Sequence, residues 1–339
     1  MRHIVFGAGL IGGFVGAMLA KQGQSVTLIG RDRVMARWQD GLRLTDFQGH
    51  QIKGIKPALM GEDWQQTPPE CDVLWLTVKC TGVRQAAFDI KSLLTPQSQI
   101  FCCQNGLGAD GQVRALYPWH PVSRVMVPFN VVEEEPGWLH RGSEGTLVLE
   151  SSQNPSFVRQ LAGILDNPMM PVSTTGQMDE LLWAKLQLNL GNAINALADI
   201  PVKAMLQQRG FRRILASLME ELLTVADAKG LQLPRLTRLP PAWLPRALRL
   251  PDWLFIRLAS RMLAIDPQVR TSMWWDLKQG RHTEISYLNG AVVEAALSLG
   301  LPCPYNQALV RLIQQAESGE LSQGLGAGEL QGMILAQMN

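Results

Sequence analysis

The periodicity of hydrophobic and polar positions changes once along the chain, near residue 176. Before it, short apolar runs alternate with mixed helical stretches; after it, patterns of helical period take over. His3 to Phe6 reads as a buried strand, GAGLIGG as a glycine turn, the alanine-rich stretch beyond it as a helix, and Ser25 to Ile29 as a second strand. CDVLWLTVK predicts a strand ending at Lys79, TGVRQAAFDIKSLL a helix, and QIFCCQNGLG a strand ending at Gln104-Asn105-Gly106. Weaker strand patterns at VSRVMVPFNVV and GTLVLES carry the sheet to about residue 150. A helix at FVRQLAGIL and a short strand at MPVST close this region. Beyond Asp179, QMDELLWAKLQLNLGNAINAL, FRRILASLMEELLTVADAKG and ISYLNGAVVEAALSLG each predict a helix, the last two ending at glycine. The expected organisation is an α/β domain over residues 1–175 and an all-α domain over 176–339.

A length of 339 residues suits two domains, and 46% apolar with 18% charged residues marks a globular chain. A net charge of +2 offers no general field for nucleic acid or an acidic surface, so no nucleic-acid partner is expected. Five cysteines without CxxC spacing indicate neither a disulfide framework nor a zinc site, and the scattered histidines add no metal-ligand spacing. No metal is expected, and Cys102 and Cys103 read as small hydrophobes. MRHIVFGAG leaves no room for a signal peptide and no apolar run reaches spanning length, so the expected location is the cytoplasm, away from membranes. The Pro/Arg/Trp-rich segment 232–263 could be a membrane-surface element. Its prolines break any long amphipathic helix and favour short helices that cover the core or make a subunit contact. The glycine-rich tail carries no periodic signal.

Strand, glycine turn, helix and strand within about thirty residues is the context a dinucleotide-binding fingerprint requires. Gly7 allows the tight turn, Gly9 the approach of backbone to a pyrophosphate, and Gly12 close packing of helix on strand. Leu10 and Ile11 open the helix whose N-terminus turns toward the phosphates. At the end of the second strand an acidic residue would hold the ribose hydroxyls, but the chain has Gly30 followed by Arg31. A guanidinium there can fork onto a 2′-phosphate, which makes NADPH the expected cofactor. The bland reading is a solvated Arg31 with Asp32 turned inward. Lys79 and Asn105 stand at carboxyl ends of expected parallel strands, where open α/β sheets bind ligands.

In the second half, Lys185, Asn189 and Asn192 fall at i, i+4 and i+7 and share one helix stripe, with Leu186, Leu190, Ile194 and Leu197 mainly off it. One amine and two amides on a leucine-rich helix suit a small polar ligand. SMWWDLKQGRHTEISYLNG adds Ser272 and Glu284, a hydroxyl and a carboxylate that meet if the flanking helices pack side by side. His282 reads as a helix-end residue. The fingerprint, the strand ending in Lys79, the QNG, the WxKLxxN helix and SMxxD with GRxTEIxxLNG together resemble the 2-dehydropantoate 2-reductase (ketopantoate reductase) family over residues 1 to about 310.

That resemblance implies an N-terminal Rossmann-type domain, a C-terminal domain like that of 6-phosphogluconate dehydrogenase, NADPH, and a cleft between domains. It also implies roles: Arg31 for the 2′-phosphate, Lys79 and Asn105 for the cofactor, Asn105 also at the substrate, Lys185 as catalytic acid, and Asn189, Ser272 and Glu284 for substrate. Asn192 joins them as a second amide, and Glu284 would orient the Lys185 ammonium as a catalytic partner. The reaction implied is reduction of a small branched 2-oxo acid, ketopantoate first, to pantoate on the route to pantothenate and coenzyme A; a homodimer is the other expected partner. Ala193, Val202 and Val269 stand where the family commonly has asparagines, which leaves a different 2-oxo acid, or an opine-type dehydrogenation, open beside ketopantoate. A non-catalytic NADPH-binding or sensing protein is the remaining alternative, and it has no need of a proton donor.

Overall fold

The computed structural model describes residues 1–259 and 268–338. The chain divides into two compact units, Met1–Met178 and Asp179–Asn339. The first contains β1 (Arg2–Phe6), α1 (Leu10–Lys21), β2 (Ser25–Ile29), α2 (Asp32–Arg37), β3 (Leu42–Asp46), β4 (Gln51–Ile55), β5 (Ala58–Met60), β6 (Cys71–Leu76) and α3 (Val83–Asp89). It continues with β7 (Leu94–Cys102), α4 (Ala109–Leu116), β8 (Val122–Met126), β9 (Val131–Glu135), β10 (Trp138–Arg141), β11 (Leu147–Glu150), α5 (Pro155–Leu165) and β12 (Val172–Thr175). Eight strands form one sheet in the order β12-β11-β8-β7-β6-β1-β2-β5. Neighbours pair in parallel except β11 with β8. The order reverses at β1: α1 carries the chain to β2 on one side, and β6 returns on the other. That switch point is where the carboxyl ends of a doubly wound sheet open a binding crevice.

A second sheet, β4-β3-β10-β9, was not expected. It arises because VSRVMVPFNVV is two strands, not one: β8 stays in the large sheet, and after Pro128 the chain crosses into the small one as β9. α1 touches strands of both sheets. This explains its composition. A Cβ at Gly12 would lie 2.9 Å from Val5 Cγ1 on the large sheet, and one at Gly13 3.1 Å from Leu139 Cδ1 on the small one. Residues Gly12 to Leu19 are all buried, as expected of a helix apolar on every side.

The second unit is helical: α6 (Met178–Asn189), α7 (Gly191–Ala198), α8 (Val202–Gln207), α9 (Arg209–Ala228), α10 (Leu244–Leu248), α11 (Asp252–Leu258), α12 (Ser272–Lys278), α13 (Asn289–Ser298), α14 (Pro304–Glu317) and α15 (Ala327–Ala336). Two expected helices differ in detail. The long one over 177–197 is interrupted at Leu190, and ISYLNGAVV begins as a 3-10 turn, Ile285–Tyr287, before α13. The tail forms α15, whose Leu330 and Ile334 are buried at i and i+4.

Of the Pro/Arg/Trp-rich segment, residues 260–263 lie outside the described residues. The rest forms a 3-10 turn, Pro241–Trp243, and the short α10 and α11. Arg212 of α9, fully buried, holds it. Its guanidinium donates to the carbonyls of Leu248 (3.0 Å) and Leu250 (2.7 Å) and to Asp252 Oδ1 (2.8 Å), and it lies 4.2 Å from the Phe255 ring centroid. The short helices thus cover the core. Among the described residues no helix is long and apolar enough to cross a membrane.

His3 is buried in the large sheet, where its Nδ1 accepts from Trp75 Nε1 at 3.2 Å. Burial, and then the nearby N-terminal ammonium, push its pKa down to about 4 from 6.5. The folded state therefore binds this proton more weakly than the unfolded chain, and the stability it contributes is present above pH 6.5 and lost as the pH falls toward 4. Between pH 7 and 4.5 the wild type is expected to lose about 2.5 kcal/mol from this group. Urea titrations of the wild type and His3→Gln check it, since the variant should lack that part of the pH dependence.

Candidate active site

The first unit gathers its candidate residues around the turn after β1. Gly7 has φ +86°, and a Cβ there would lie 2.7 Å from the backbone nitrogen of Val78. Both conditions demand glycine. Gly12 is pressed against Val5 and the Thr77 hydroxyl, so α1 sits close enough to the sheet for its N-terminus to stand at the switch point. Gly9 is different: a Cβ there would meet nothing nearer than the Gly7 carbonyl oxygen at 3.9 Å. Its own chain does not require glycine, and the open space above it fits the close approach of a phosphate. Gly9 caps α1 without any side-chain acceptor, leaving the amides at Leu10 and Ile11 for such an anion. These residues fit a dinucleotide.

Arg31 is exposed at the N-cap of α2, just past β2. Asp32 is engaged elsewhere, its Oδ1 accepting the Glu62 amide at 2.7 Å. Lys79 is not a strand residue: β6 ends at Leu76, and Lys79 is exposed at the N-cap of a 3-10 turn, Cys80–Gly82. Asn105 is exposed in the loop between β7 and α4. Thr77 stitches the loop after β6 to the fingerprint, its hydroxyl donating to the carbonyls of Phe6 (3.1 Å) and Gly7 (3.0 Å).

The second unit carries the polar stripe. Lys185 and Asn189 on α6 and Asn192 on α7 are each half-buried, while Leu186, Leu190, Ile194 and Leu197 are buried. Ala193 is fully buried, so Asn192 is the amide that reaches accessible surface. The third asparagine of this stretch has another task. Asn195 is fully buried; its Oδ1 accepts the amide and hydroxyl of Thr271, both at 3.0 Å, and its Nδ2 donates to the Ile200 carbonyl at 2.6 Å. Thr271 is the N-cap of α12, and exposed Ser272 is that helix's first residue. Asn195 thereby fixes where Ser272 begins.

Ser272 begins α12 and Glu284 caps the Ile285–Tyr287 turn, two elements linked through α7 and α14. α7 packs against both α12 and α14, and the 3-10 turn after Glu284 packs on α13 and α14. Glu284 is buried at the N-cap of that turn. The segment before it is held by Glu317 of α14, whose Oε1 accepts the Thr283 amide at 2.7 Å, with His282 Nδ1 3.3 Å from Oε2. His282 is thus a helix-end partner.

Val202 and Val269 are neighbours: the Val202 amide donates to the Val269 carbonyl at 2.9 Å, and Val269 is 41% exposed. Arg270 does not stand ready for a substrate carboxylate beside them. It pairs with Asp199 Oδ1 at 3.3 Å and stacks over Trp274 at 4.3 Å. Asp199, with φ 53°, also accepts from Trp274 Nε1 (2.6 Å) and Lys278 (2.8 Å). Burial pushes its carboxyl up, but those bonds and the two cations outweigh it and hold the pKa below the ordinary carboxylate value.

Residues 3–154 match the ketopantoate reductase PanE/ApbA family and residues 177–317 its C-terminal region. The chain belongs to the ketopantoate reductase family. It is an oxidoreductase acting on a CH–OH group, of a family whose enzymes are NAD(P)-dependent. Among similar proteins, 2-dehydropantoate 2-reductase of Halobacterium salinarum is 25% identical, with 94% of this chain and 99% of that one covered. The solved PanE/ApbA family ketopantoate reductase from Ralstonia eutropha JMP134 is 29% identical, with a TM-score of 0.77 over 94% of this chain and 99% of that one. A D-mandelate dehydrogenase solved with NADH and anilino(oxo)acetate shares the fold at the same TM-score, 0.77, with 20% identity and coverage of 94% and 99%.

Within this reductase, Thr77, Gln104, Asn195 and Asp199 had no signal that assigned them a task, because each acts on a partner distant in sequence. Asn195→Ala is expected to cost about 2–3 kcal/mol, since it leaves buried groups unpaired. Asn189→Ala, at a half-exposed position, is expected to cost under about 1 kcal/mol. Denaturant midpoints of the two variants check the division between a structural and a site asparagine.

Proposed function

We propose that the chain reduces ketopantoate to pantoate with NADPH, a step toward pantothenate and coenzyme A. The observation that carries this reading is the accessible Lys185, Asn189 and Asn192 stripe on a helix pair whose other residues are mostly buried, in a chain of this family. The Gly7–Gly12 turn, Arg31, Lys79 and Asn105 would hold NADPH, which would supply the hydride for C2. As negative charge gathers on the former carbonyl oxygen, the Lys185 ammonium stabilises it and gives up a proton to it, so the product is the 2-hydroxy acid and the amine regains its proton from solvent. Glu284 orients the ammonium. Asn189, Asn192, Ser272 and Asn105 hold the substrate's oxygens without adding positive charge. A proton donor so supported has no use in a sensing protein.

A second reading has its own support. Val202 and Val269 present apolar surface where family members carry amides, and the fold is shared with a D-mandelate dehydrogenase. A 2-oxo acid with a larger apolar end, such as phenylglyoxylate, fits such a wall. Steady-state kinetics with ketopantoate and phenylglyoxylate separates the two. On the preferred reading kcat/KM is higher for ketopantoate; the opposite order transfers the assignment to the aryl acid.

Lys185→Ala is expected to lower kcat by about a hundredfold or more and leave NADPH affinity nearly unchanged. Near-normal kcat would remove Lys185 from the chemistry. Arg31→Ala is expected to weaken NADPH by about ten- to a hundredfold and NADH hardly at all. Equal losses for both cofactors, measured by calorimetry, would mean that Arg31 does not read the 2′-phosphate.

A further inference from the structure

Lys79 lies between two residues that are both bonded to the loop after β7. On one side, the Gln104 amide donates from Nε2 to the carbonyl of Val78 at 3.0 Å, and also to that of Leu76 at 2.8 Å. On the other, the buried Cys80 thiol donates to the Asn105 carbonyl at 2.8 Å. The crossing is reciprocal: 78 to 104 and 80 to 105. Past Leu76 the chain has left β6, so strand pairing no longer fixes the position of this stretch. Thr77 ties the start of the stretch to Phe6 and Gly7, and beyond it the Gln104 and Cys80 bonds hold Lys79 and Asn105 together.

The residue chosen at 104 carries a penalty that packing alone would avoid. Gln104 Oε1 is buried and accepts no hydrogen bond among the described residues. A buried acceptor left unpaired is destabilising, and an apolar side chain of the same length would remove that cost. Keeping an amide makes sense where its donor pair is needed to hold the loops in register.

We propose that Gln104 and Cys80 form a two-point clamp that sets the spacing of Lys79 and Asn105 for the cofactor. Gln104 is then a positioning residue of the NADPH site. This rests on the reading of Lys79 and Asn105 as cofactor-binding residues. The clamp is expected to matter because a charged group misplaced by a fraction of an ångström loses much of its bond to a phosphate or ribose.

The test is NADPH binding by isothermal titration calorimetry, beside the unfolding midpoint, for wild type, Gln104→Met, Lys79→Ala and the double variant. Gln104→Met keeps length and removes both donors. It is expected to weaken NADPH by about tenfold in the wild-type background and by less than about threefold in the Lys79→Ala background, with the unfolding midpoint nearly unchanged. Equal weakening in both backgrounds, or no weakening at all, overturns the clamp. If Gln104→Met does not fold, the same cycle with Cys80→Ala decides it, with a smaller effect of the same pattern expected. A wild type that binds NADPH, with Lys79→Ala unaffected, would overturn the assignment of Lys79 and with it the clamp's purpose. A wild type that binds neither NADPH nor NADH would overturn the cofactor reading itself.

Discussion

The close approach of α1 to the large sheet is the constraint on which the cofactor-binding end depends. It is set by Gly12, where a side chain would overlap Val5 and Thr77. Because α1 lies there, its uncapped N-terminus stands beside the switch point of the strand order, and Thr77 can bond to both Phe6 and Gly7. The small sheet then closes over the helix's other side, which is why α1 has no polar face to show. A larger residue at Gly12 would shift the helix, the phosphate-facing amides and the stitched loops together.

The helical unit solves a different problem: a polar stripe must stay accessible on helices whose remaining surface is mostly buried. Leu186, Leu190, Ile194 and Leu197 bury α6 and α7 and leave Lys185, Asn189 and Asn192 half-exposed. Asn195 spends its amide inside, on Thr271 and Ile200, and so anchors the start of α12. Similar residue types in one short stretch thus divide between chemistry and architecture according to burial. The Asp199 cluster does comparable work at the end of α7, using Arg270 and Lys278 as partners rather than leaving them to a ligand.

How legible the molecule was in its sequence follows from the range of the interactions. β1, α1 and β2 were readable because glycine spacing and apolar runs are local signals. The second sheet was not. β3 carries Arg43, Thr45 and a buried Asp46, and β4 exposes Gln51, Lys53 and Gly54, so neither shows the continuous apolar run of β1. The division of VSRVMVPFNVV between two sheets turns on which strands it pairs with. The residues of the polar stripe could be named from helical spacing, but the burial of Asn195 depends on Thr271, 76 positions away. The engagement of Arg270 depends likewise on Asp199, 71 positions away.

The central claim is that this chain moves a hydride from NADPH to the carbonyl carbon of a small 2-oxo acid. A single-turnover experiment tests it most directly, with enzyme in excess, NADPH deuterated on either face of the nicotinamide C4, and ketopantoate, the product being read by mass spectrometry. The account predicts pantoate formed in step with NADPH loss and carrying deuterium at C2 from one of the two labelled faces. NADPH bound but left intact in the presence of ketopantoate and of aryl 2-oxo acids would contradict it.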